Sequence, residues 1–76
     1  MRRFDDHEGQ SWEVVAGRES WGALFAIFIP VGGPEGLAMR QSPMSASSYE
    51  EATAAFDTLD DDGLRALLGR SEPKTF

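Results

Sequence analysis

The chain has 76 residues, too few for more than one domain and close to the size at which a single core only just suffices. At 41% hydrophobic and 26% charged it reads as a soluble globule, and its count of zero cysteines excludes disulfides, thiolate catalysis and Cys-based zinc sites together. Thirteen acids against seven bases give a net charge of −6, which argues against gripping a nucleic-acid backbone, a task for clustered Lys and Arg.

Arg2-Arg3-Phe4 is expected to open as a short strand and not as a signal peptide, because Asp5-Asp6-His7-Glu8 follows where an apolar segment is required. The chain is expected to be cytoplasmic and complete from Met1. Asp5 to Gly9 reads as a hairpin turn, with Gly9 at the left-handed position. Residues 10–18 return as a second strand in which Trp12, Val14 and Ala16 alternate with Ser11, Glu13 and Val15. The pattern Phe4-x-Asp6-x-x-Gly9-x-x-Trp12-x-Val14 resembles the opening of short bacterial proteins, a likeness that brings no activity with it.

A turn at residues 17–20 leads into the most apolar stretch, residues 21–29, which is uncharged and closed by Pro30. Phe, Ile and Trp favour a pleated backbone, so this stretch is expected to be a strand. It is too short to cross a membrane. Trp21, Ala23, Phe25, Ile27 and Ile29 point to one side, and Leu24, Ala26 and Phe28 to the other. A strand with one wet face alternates apolar and polar residues; this one asks for cover on both sides.

Residues 30–36 hold two prolines and three glycines and read as a wide connection. A phosphate-cradling loop is excluded because Leu37-Ala38 stand where Lys and Ser/Thr are needed. Residues 37–42 are a fourth strand, stopped by Pro43. Ser47 with Glu50, or Ser48 with Glu51, then offers a capping box, and Tyr49, Ala52, Phe56 and Leu59 recur at helical spacing. Asp60-Asp61-Asp62 interrupts the pattern, and Leu64, Leu67 and Leu68 form the stripe of a second helix that Gly69 stops. The expected fold is α+β: a three- to four-stranded antiparallel meander over residues 1–43, then an αα-hairpin over 47–69 packed on one sheet face. Residues 70–76 are expected to be a flexible tail, with Phe76 able to dock.

Candidate chemistry is sparse. Three carboxylates surround the lone histidine at Asp5-Asp6-His7-Glu8, yet neighbours in a turn rarely converge on one metal, so the turn reads as solvated. Asp60-Asp61-Asp62-Gly63 fails as a calcium loop because Thr58 and Gly69 occupy ligand positions. Aspartates there suit a helix start, where free amides and the helix dipole favour negative charge. No serine sits in a nucleophile elbow. The expectation is therefore no catalytic residue, no cofactor and no metal.

Two interaction surfaces remain. One is a sheet face carrying Trp12, Trp21, Phe25, Ile27 and Ile29, suited to a homodimer with sheets packed face to face or to another protein partner. The other is the helical layer, where Glu50, Glu51, Asp57, Asp60, Asp61 and Asp62 outnumber the single base Arg65, leaving five net negative charges. That layer suits an acidic decoy binding a basic protein. Neither surface calls for nucleic acid or a membrane.

Overall fold

The computed structural model describes residues 2–18 and 22–74. Trp21 and Phe76 lie outside those residues. Five strands form one antiparallel sheet in chain order: β1 Arg2–Asp5, β2 Ser11–Arg18, β3 Leu24–Val31, β4 Arg40–Pro43 and β5 Glu72–Pro73. Helices α1 Tyr49–Thr58 and α2 Asp61–Gly69 fall between β4 and β5 and pack on one face of the sheet, which gives the expected α+β architecture. Among the described residues no helix is long and apolar enough to cross a membrane.

The strands arise where the chain alternates. In β2, Trp12, Val14 and Ala16 are buried and the residues between them are not. In β3 the buried set is Leu24, Ala26 and Phe28. The register joins the two sets, pairing Val14 with Phe28 and Ala16 with Ala26. The helices add Ala52, Phe56 and Leu64, and with Phe4 these residues make one core. Phe4 meets Phe28 edge to face, ring centres 6.0 Å apart at 78°. The shortest dimension, 19 Å, fits a sheet and a helix layer about 10 Å apart.

Both helices start as their sequences dictate. Ser48 caps α1 by accepting from the Glu51 amide at 3.1 Å. The return half of the box is missing: the Glu51 carboxylate takes the Ser47 hydroxyl instead. Asp60 caps α2 through the Gly63 amide at 2.8 Å. All three aspartates have partners, since Asp61 pairs with Arg2 at 2.6 Å and Asp62 with Arg65 at 2.9 Å.

Three expectations need correction. The fourth strand begins at Arg40, not at residue 37, because the glycine-rich connection runs on to residue 39 and leaves Leu37 40% exposed. The third strand runs through Pro30 to Val31, where the connection is expected to begin at residue 30, because Trp12 pairs with Pro30 and Ser11 with Val31. The stretch expected to be a loose tail supplies β5, pairing Pro73 with Arg40 and Glu72 with Gln41. Arg40 is the reason. Its Nε donates to Ser71 Oγ at 2.8 Å and its Nη2 to Ser71 O at 2.6 Å, and the Lys74 amide bonds Met39 O at 2.7 Å.

Candidate interaction surface

Because side chains alternate along a strand, burying Leu24, Ala26 and Phe28 turns Phe25, Ile27 and Ile29 to the opposite face. Antiparallel pairing puts partnered residues on the same face, so the register builds that face row by row. One row is Gly17, Phe25 and Pro43; the next is Val15, Ile27, Gln41 and Glu72; the next is Arg3, Glu13 and Ile29; the last is Asp5, Ser11 and Val31. Val15, Phe25, Ile27, Ile29 and Val31 are all partly exposed, and neither helix packs over them.

Arg3 pairs with Glu13, and the Ser11 hydroxyl donates to Asp5 at 2.6 Å. The rows that pair Gly17 with Phe25 and Val15 with Ile27 carry no charge on β2 or β3. Gly17 gives the face relief: a β-carbon there would run into Ile27 Cδ1, so the Ile27 side chain lies in the space that glycine leaves.

Trp12 does not belong to this surface. It pairs with Pro30 on the helix-covered side and is only 3% exposed. Its indole Nε1 donates to Asp6 Oδ2 at 3.0 Å, which answers the polar end of a buried tryptophan. Trp21 lies outside the described residues. Val15, expected with Trp12 as a candidate to stand beside that strand, and Val31, read as part of the connection, join Phe25, Ile27 and Ile29. Their signal was present only in the β2–β3 register, which depends on turn geometry that the sequence leaves open.

The turn around His7 is organised by Asp6 and not by the histidine. Asp6 Oδ1 accepts from the Glu8 and Gln10 amides at 2.9 Å each, and His7 is exposed. Burial acts to raise the Asp6 pKa, but the bonds from Trp12, Gln10 and Glu8 and the nearby His7 outweigh it and hold the carboxyl below its usual range. Among the described residues, no three His, Asp or Glu side chains gather as a metal shell. The glycine-rich connection is held by Gln10, whose Nε2 donates to Val31 O at 3.3 Å and to Gly32 O at 3.1 Å.

Glu50, Glu51, Asp57, Asp60, Asp61 and Asp62 are all exposed on the helical layer. Among the described residues are two shallow pockets of about 290 and 320 Å³. The first is lined by Arg2, Val14, Tyr49, Phe56 and Asp57; the second by Asp6, Gln10, Trp12, Leu37 and Arg40. They stand at the bottom of the size range of small-molecule sites. No protein-family model matches the chain, and neither the curated proteins nor the solved structures hold a match to it.

Proposed function

We propose that this protein is a small non-catalytic interaction module, an adaptor, accessory subunit or regulator, that binds protein through the open face of its sheet. Phe25, Ile27 and Ile29 are its anchors and Val15 and Val31 extend them. The observation that carries this reading is the division of β3. Its even-numbered residues are sealed under two helices, while its odd-numbered ones form an equally apolar stripe over which no helix packs. Apolar side chains in contiguous rows are costly to leave in water, by roughly 25 cal/mol for each Å², and they are common at the centres of interfaces.

The test compares the two sides of the same strand. Ile27→Asp should keep the circular-dichroism spectrum and most of the thermal stability, because its carboxylate reaches water in the free chain. Phe28→Asp, fully buried, should prevent folding. Equal unfolding of the two variants would mean that the open face is core, and the reading would fall.

The second reading is an acidic decoy, an antirepressor-type regulator that meets a basic protein through the helical layer. Its support is the exposure of all six acids named above. Much of that charge is already engaged in capping and ion pairs at Asp60, Asp61 and Asp62. Reversing Glu50 and Asp57 to Lys separates the readings, since it abolishes decoy binding and leaves a sheet-face complex intact.

A further inference from the structure

We propose a second binding site at the edge of the sheet: an extended peptide adds as a strand beside the unpaired half of β2 and lays a lysine or arginine side chain into the cavity between β2 and α1. The site is separate from the open face and does not rest on the reading above. Strand lengths create it. β1 has four residues and β2 eight, and their ladder stops at the pair Arg2–Val14. Among the described residues, Val15, Ala16, Gly17 and Arg18 pair with β3 alone. A strand without a neighbour on one side presents open N–H and C=O groups there, a template for another extended backbone.

Such edges are normally blunted by charge or proline. The opposite edge of this sheet is: past its two pairs with β5, β4 continues as Ser42-Pro43, and proline has no N–H to donate. Val15-Ala16-Gly17 carries neither device.

The cavity selects the side chain. It measures about 290 Å³ and lies against the same length of β2, lined by Val14, Ala16 and Phe56 with Arg2, Tyr49 and Asp57 as polar groups. Partnered residues share a face, and Ala16 is buried on the covered side. A peptide residue across from Ala16 therefore turns its side chain towards the cavity. Arg2 is answered by Asp61 at 2.6 Å, whereas Asp57 is exposed and makes no hydrogen bond or ion pair among the described residues. The unanswered charge at the cavity is thus negative, on a helical layer with five net negative charges. A long side chain with an aliphatic stem and a cationic end suits both features. Its stem covers Val14 and Phe56, and its end meets the Asp57 carboxylate and the Tyr49 ring.

The experiment titrates the full chain, labelled for nuclear magnetic resonance, with a short capped threonine–valine peptide carrying one central lysine. Saturable shifts should centre on Ala16, Gly17, Arg18 and Asp57, and the amides of Ala16 to Arg18 should exchange more slowly. Replacing the peptide's lysine by glutamate should weaken binding at least about threefold, the scale of an exposed ion pair. Asp57→Lys, a change at an exposed position, should keep the parent spectrum elsewhere and reverse that preference. Prolines on either side of the peptide's lysine should abolish binding, because they remove backbone donors. No shift up to about millimolar peptide overturns the site. So does equal binding of the lysine and glutamate peptides, or of capped lysine alone, or shifts confined to Glu50 and Asp61 with no protection of Ala16 to Arg18.

Discussion

Ile27 occupies the space that Gly17 leaves empty: an added β-carbon at Gly17 would strike its Cδ1. The two residues are diagonal neighbours on the open face, in adjacent rows of the β2–β3 ladder. The glycine thus fixes how the central side chain of that face lies. Ile27 Cδ1 is the free end of a half-exposed side chain and can turn aside, so Gly17→Ala should change stability by less than about 1 kcal/mol, the clash offset by the backbone freedom that alanine removes. Shortening the neighbour should relieve the clash, so Gly17→Ala with Ile27→Val should be more stable than the sum of the single changes by at least about 0.5 kcal/mol. Urea melts of the four proteins give the coupling, and strict additivity would show that the two residues do not touch.

The Arg40 clamp makes a prediction about the end of the chain. Ending the protein after Arg70 removes Ser71, to which Arg40 donates twice, together with the two residues of β5. A charged donor left half-buried without its acceptors costs about 1–3 kcal/mol, so the melting temperature should fall by several degrees. Arg40→Met in the full chain should give a similar loss. A truncated protein as stable as the parent would mean that β5 contributes nothing.

Asp6 sets an acid limit. Its pKa is lower folded than unfolded, so its stabilising contribution is complete above the unfolded value of about 4 and disappears as pH falls through the folded value. Asp6→Asn should therefore lose stability near neutral pH and show a shallower decline on acidification. Trp12→Phe, which removes the indole donor, should shift the decline towards higher pH. Melting temperatures recorded from neutral pH to about pH 2 are the measurement, and parallel curves for Asp6→Asn and the parent would refute it.

The helix caps should differ in weight. Asp60→Ala removes the acceptor for the Gly63 amide and should cost about 1 kcal/mol, within the usual range for an N-cap. Asp62→Ala removes an ion pair whose carboxylate is 83% exposed and should cost well under 1 kcal/mol. Denaturant midpoints order the two, and an Asp62 effect as large as that of Asp60 would contradict the assigned roles.

Alternation in residues 11–18, the uncharged run of β3 and the helical spacing of Ala52, Phe56 and Leu64 made the strands and helices legible from the chain alone. Those periods are local, set by backbone geometry of 2 and 3.6 residues. They also required that one side of β3 be left without helices, since two short helices cover one face. Which side it is could not be read, because Phe25, Ile27 and Ile29 are as apolar as Leu24, Ala26 and Phe28. Only the packing of α1 and α2 decided it. The same packing placed Trp12 in the core, since a tryptophan suits an interface and an interior alike until a neighbour such as Asp6 meets its indole nitrogen. The pairing of Val15 with Ile27 and of Pro73 with Arg40 joins residues far apart in sequence, and no local pattern records such a register.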